Sequence, residues 1–278
     1  MASLGARCRP ARLVGCGVLV VAALLLCSCQ GGHDTDRNER SATSARPDTT
    51  DQQIRTVAGG PIIRQRIPAT VRRTVLRDQD GRPVTLASLH GKTVVLAPQL
   101  TLCQETCPMT SALMHQAAQD AERAGLSDRV VFAELTVDPW RDTVTRLHAY
   151  RKLYGALPDW TLLTGEPRQV TKVWEAIGVS TVRSYGDDRV RDWMTGKVLK
   201  RPYDVHHQDI VFIIDPDGRI RWIRLGRPDA RSGPLPATMK RFLNDEGRQN
   251  YRAPGTDAWT AADVEKAVRV VRALPASR

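Results

Sequence analysis

TVVLAPQLTLCQETCPMTSALMHQAAQDAERA, residues 93–124, decides the fold class. Thr93-Val94-Val95-Leu96-Ala97 is a nearly continuous apolar run, the pattern of a strand buried on both faces. Across residues 109–124 the period changes to that of a helix, with Leu113, Ala117, Ala121 and Ala124 on one face. Between them lies a loop holding Cys103, Cys107 and Pro108. Strand, loop and helix in this order put both thiols at the carboxyl end of a central strand, where α/β sheets build their sites. Outward from this core, residues 74–76 and 83–86 flank Asp80-Gly81 as a hairpin. Residues 130–137 and 160–163 read as strands, and 144–154 and 167–177 as helices. A second hairpin, 210–214 with 220–225, turns at Asp215-Pro216-Asp217-Gly218. Residues 261–274 form a closing amphipathic helix. Residues 180–203 are polar with little periodicity, and 229–254 read as loop or partial helix. The order predicts an α/β sandwich over residues 61–278: a central, mostly parallel sheet with antiparallel edge hairpins, flanked by helices.

The N-terminus predicts an exported chain. Arg7, Arg9 and Arg12 precede an apolar or small stretch at 13–26, whose 14 residues are the length of a signal-peptide core and too few to span a bilayer. Leu26-Cys27-Ser28-Cys29 follows, the pattern of a lipoprotein cleavage site. Residues 1–28 are read as the signal peptide, and Cys29 as the new N-terminus carrying the lipid. Residues 29–60 are read as a polar tether, because from 30 to 53 the only apolar side chains are Ala42 and Ala45. The protein is therefore expected at the extracytoplasmic face of the membrane, lipid-anchored. Its net charge of +11 is spread among acidic residues. No basic helix interleaved with aromatics and no nucleic-acid motif appears, so nucleic acid is excluded as a partner.

Of six cysteines, Cys8, Cys16 and Cys27 belong to the leader and Cys29 takes the lipid. Cys103 and Cys107 are the only thiols left to the folded domain. A pair four residues apart closes almost no loop, so as a disulfide it constrains the unfolded chain little. It reads instead as a redox or metal site. Pro108 suits a helix start, which puts Cys107 at or beside the N-cap, where backbone N–H groups favour a thiolate. Three intervening residues give a wide bite suited to an ion, without preventing a disulfide. Soft thiolates select Cu(I), and an added imidazole serves Cu(II) or zinc. Among the histidines, His33 lies in the tether, and His90, His115 and His148 read as surface residues. His206 and His207 differ, since they follow a polar stretch and directly precede a core strand. Glu105 adds negative charge beside the sulfurs. Asp138 starts a turn and Asp142-Thr143 precedes a helix as a cap, with Asp138 also a candidate supporting group at a strand end.

The segment Thr101-Leu102-Cys103-Gln104-Glu105-Thr106-Cys107-Pro108 resembles the Thr-x-Cys-x-x-x-Cys-Pro motif of the Sco/SenC family of copper chaperones. Leu135-Thr136-Val137-Asp138-Pro139-Trp140-Arg141-Asp142-Thr143 is similar to that family's Asp-Pro-x-x-Asp-Thr signature, and Leu162-Leu163-Thr164-Gly165 to its Leu-Thr-Gly turn. His207, eight residues before Asp215, stands where the family keeps its metal-binding histidine. The resemblance implies a thioredoxin-like fold and one copper, Cu(I) or Cu(II), held by Cys103, Cys107 and His207. It also implies service to the CuA centre of cytochrome c oxidase, by copper delivery or thiol reduction, with the CuA subunit or another exported cuproprotein as partner. The alternative within the same residues is a thiol–disulfide oxidoreductase with Cys103 and Cys107 as its redox pair. Departures from the family are Pro98-Gln99-Leu100 before the motif, Gln104-Glu105-Thr106 inside it, His206 before His207, and a longer region after Leu225.

Overall fold

The computed structural model describes residues 55–186, 190–200, 203–233 and 235–275. The expected signal peptide, Cys29, His33 and the tether up to residue 54 lie outside the described residues. In chain order the elements are β1 (Thr56–Val57), β2 (Gly60–Arg66), α1 (Ala69–Arg72), β3 (Leu76–Asp78), β4 (Pro83–Val84), β5 (Thr93–Gln99), α2 (Cys107–Arg123), β6 (Val130–Thr136) and α3 (Val144–Tyr154). They continue with β7 (Trp160–Thr164), α4 (Pro167–Ile177), β8 (Thr181–Tyr185), β9 (Tyr203–His207), β10 (Ile210–Ile214), β11 (Arg219–Leu225), α5 (Ala237–Phe242), α6 (Asp245–Arg252) and α7 (Ala261–Ala273).

Nine strands form one sheet in the order β1-β2-β11-β10-β5-β6-β7-β3-β4. The centre, β5-β6-β7, is parallel, and the pairings on both wings are antiparallel. Every residue of β5 and β6 is buried, which requires cover on both faces and explains the nearly continuous apolar run of β5. Helices α2 and α7 pack together against the sheet. Trp160, Trp174, Trp222 and Trp259 are among the largest fully buried side chains, and each donates its indole N–H to a partner. The predicted α/β architecture holds, with its parallel part confined to the three middle strands.

Two stretches depart from expectation, and a third, read as loop or partial helix, resolves into two short helices. Strand pairing begins at Thr56, inside the segment read as tether. Here Ala58 and Gly59 turn through positive φ, and a Cβ on Gly60 would meet the Ile223 carbonyl at 2.2 Å. This hairpin docks through close backbone approach, which polar composition does not reveal. Within 180–203 the chain forms β8, which pairs with β9 in a separate two-stranded ribbon. β8 is exposed along most of its length, so it has no burial periodicity to read. The 229–254 stretch holds α5 and α6, the latter capped by Asn244, whose side chain accepts from Gly247 N–H.

Candidate metal centre

The thiol loop hangs from β5 by a buried anchor. Asp142 accepts from the Thr101 hydroxyl and from Thr101 N–H at 3.3 Å, and from the Thr136 hydroxyl at 2.5 Å. Trp193 Nε1 donates to the Thr101 carbonyl at 2.7 Å. Burial pushes the Asp142 carboxyl up to about 6, against the pull of its hydroxyl donors. The helix cap expected of Asp142-Thr143 falls to Thr143 alone, whose side chain accepts from Arg146 N–H. Asp142 instead fixes the loop that carries the cysteines.

Cys107 is the first residue of α2, with Thr106 as N-cap. The Thr106 hydroxyl does not cap the helix; it donates to Asp209 Oδ1 at 2.8 Å. Asp209 follows the ribbon, so this bond ties the helix start to the segment bearing His207. Both cysteines are free and buried, at 8% and 1% exposure for Cys103 and Cys107. The neighbouring Cys103 side chain and burial push the Cys107 thiol well above its usual range, and the Asp209 and Asp204 carboxylates add to this. The helix terminus was expected to favour a Cys107 thiolate. In the absence of a cation, these opposing influences dominate. Burial likewise raises the Asp209 carboxyl.

His207 ends β9, and its Nε2 lies 3.6 Å from Cys107 Sγ. Its Nδ1 is 2.9 Å from the Gln208 carbonyl. A carbonyl only accepts, so Nδ1 carries a proton and Nε2 is the nitrogen turned to the sulfur, free to offer a lone pair to a metal ion. This is the orientation a metal-binding imidazole receives from a backbone carbonyl behind it. The structure brings Cys107 to Cys103 and to His207. Among the described residues, however, no three His, Cys, Asp or Glu side chains already converge on one point.

His206 turns the other way, as alternate residues of a strand do, and its Nε2 bonds Ser184 Oγ at 2.7 Å. With Glu105, Arg141 and Asp204 it lines a cavity of about 220 Å³ beside the loop. Asp138 is buried; it accepts from the Tyr203 hydroxyl at 2.9 Å and from Arg141 Nε. Arg141 in turn donates to the Tyr203 carbonyl at 2.8 Å and stacks 3.6 Å over its ring. One signature thus holds both halves of the site: Asp142 holds the thiol loop, while Asp138 and Arg141 hold the strand that carries His207.

Of the histidines read as surface, His90 and His148 are exposed. His115 is buried, its Nε2 2.9 Å from the Gly155 carbonyl and its ring edge-on to Trp160. Its position on the inner side of α2, packed between helix and sheet, outweighs its polarity. Sequence reasoning missed Asp209 and Asn244. Asp209 sits two residues beyond a candidate ligand, which is the one signal that could have drawn attention to it.

The chain is 28% identical over 144 residues to the mitochondrial SCO1 homolog 1 of Arabidopsis thaliana, covering 52% of this chain and 38% of that protein. It is 27% identical over 149 residues to a putative copper-binding protein of Stutzerimonas stutzeri, covering 52% and 64%. The chain spans less than two thirds of the length of either relative. Among solved structures, copper-bound ScoI of Arabidopsis thaliana matches with 26% identity and a TM-score of 0.44, over 54% of this chain and 84% of that one. The SCO1/SenC family model matches residues 67–233, well over half of the chain and inclusive of Cys103, Cys107 and His207, and the chain belongs to that family.

Proposed function

We propose that this chain holds one copper ion between Cys103, Cys107 and His207. It passes that ion, outside the cytoplasm, to the CuA subunit of cytochrome c oxidase or another exported cuproprotein. The observation that carries this reading is His207 Nε2 facing Cys107 Sγ across 3.6 Å, with Nδ1 held by the Gln208 carbonyl. Bonds of about 2.3 Å to sulfur and about 2.0 Å to nitrogen, the values for a comparable first-row ion, let one ion span that gap. Thiolate and imidazole together suit copper in both oxidation states. Family membership and the name of the Stutzerimonas stutzeri relative support the same metal. Copper is cargo here, with Cys103 as the third ligand. A bound cation reverses the preference of Cys107, because a coordinating thiol gives up its proton outright. Loading therefore releases protons from a site that holds them when free. Lipidation at Cys29 belongs to the same reading and rests on the leader pattern; a Cys29→Ser chain should accumulate unprocessed.

A thiol–disulfide oxidoreductase is the second reading, favoured by two free cysteines side by side. A Cys107 that retains its proton argues against it as the attacking thiolate. Anaerobic titration separates the two. One equivalent of Cu(I), and a Cu(II)–thiolate absorption band lost in His207→Ala, support the copper reading. No copper uptake with turnover of a disulfide substrate selects the oxidoreductase.

A further inference from the structure

Helices α5 and α6 lie beyond residue 233, where the family segment ends, yet they grip the loop between the two cysteines. Gln104 Nε2 donates to the Phe242 carbonyl at 2.8 Å, and the Gln104 carbonyl accepts from Asn244 N–H at 3.1 Å. Asn244 Nδ2 donates to Glu105 Oε1 at 3.3 Å, while its Oδ1 accepts from Gly247 N–H at 2.7 Å. Gly247 lies so close to the loop that a Cβ there would meet the Gln104 carbonyl oxygen at 2.0 Å and Glu105 Cα at 3.1 Å. Its φ is not positive, so the requirement for glycine is one of space. The strap is itself fixed, with Met239, Phe242 and Leu243 buried in the core. Two of the three residues between the cysteines are thus held from outside the family segment.

We propose that this strap, through its positioning residues Asn244 and Gly247, holds the thiol loop in its open dithiol shape and weights the pair against closing to a disulfide. The inference rests on the copper reading above, since only the open pair receives the ion. Closure joins Cys103 Sγ to Cys107 Sγ at about 2.05 Å. It releases two protons and two electrons, which oxidised glutathione takes up to leave as two molecules of glutathione. Closure draws the two sulfurs together across residues 104–106, and Gln104, bonded through both side chain and carbonyl and backed by Gly247, resists movement of that loop.

The test is the full chain equilibrated anaerobically in glutathione redox buffers, with the disulfide in the peptide carrying both cysteines measured by alkylation and mass. Gly247→Ala pushes the strap off the loop. Asn244→Asp keeps the cap oxygen but loses the donor to Glu105 and sets carboxylate against carboxylate. Each should raise the equilibrium constant for disulfide formation at least about tenfold, a potential about 30 mV lower. Arg252→Ala, on the exposed end of α6, should match the wild type. A constant unchanged within about twofold, or moved toward the dithiol, in folded variants overturns the proposal; if Gly247→Ala fails to fold, Asn244→Asp decides. A wild-type chain that binds no copper removes the copper reading while leaving this equilibrium measurable. Normal copper binding with unchanged constants removes the strap alone.

Discussion

Glu134 stands in the middle of β6, fully buried. Its carboxyl accepts from Ser111 Oγ at 2.6 Å and Trp160 Nε1 at 2.7 Å, and Tyr150 OH donates onward to Ser111 at 3.2 Å. Burial raises it from 4.5 to about 7, against the pull of both donors. Between those values the unfolded chain has lost this proton and the folded chain has kept it, so stability from this group falls as pH rises. At about 1.4 kcal/mol per unit, the loss across the window is on the order of 3 kcal/mol. Glu134→Gln carries no such proton. Near pH 4 the variant should match the wild type within about 1 kcal/mol, since a protonated acid and an amide have similar shape and similar bonding here. By pH 8 it should be more stable than the wild type by roughly 3 kcal/mol. Urea unfolding of both proteins at four pH values between 4 and 8 measures the difference and cancels the slope due to other groups, including Asp142. A difference that stays constant across that range would refute the reasoning and mean that Glu134 is ionised in the fold as it is in water.

Asp142→Ala strands the Thr101 hydroxyl and N–H and the Thr136 hydroxyl in a buried site, and should cost about 3–5 kcal/mol by urea unfolding. Tyr203→Phe removes one of the donors to buried Asp138 and should cost about 1–2 kcal/mol. It should also weaken the Cu(II)–thiolate band, because it loosens the strand that carries His207. Thr143→Ala should cost about 1 kcal/mol, the loss of an N-cap, with copper uptake unchanged.

Where burial leaves a periodic trace, the fold was legible. Strands β5 and β6 are buried on both faces and read as strands, β5 from its apolar run, and α3 and α4 fell at the residues expected of them. The thiol pair was legible by elimination, and His207 by its place in a family pattern. Ribbon β8–β9 was not legible because its strands pair with each other, and most of β8 stays in solvent. The grip of Asn244 and Gly247 on the loop crosses some 140 positions and rests on a missing Cβ and backbone bonds, neither of which leaves a local pattern. The behaviour of Cys107 failed differently. Its helix position was read correctly, but burial, Cys103 and two carboxylates from distant segments outweigh the helix terminus.

Copper carriage by this chain requires one ion shared by three side chains. X-ray absorption at the copper edge of the loaded, reduced protein counts its neighbours directly. Two sulfurs and one imidazole nitrogen, the nitrogen vanishing in His207→Ala and the sulfur count falling to one in Cys103→Ser, are the predicted result. A copper site without sulfur, or one whose nitrogen persists in His207→Ala, would contradict it.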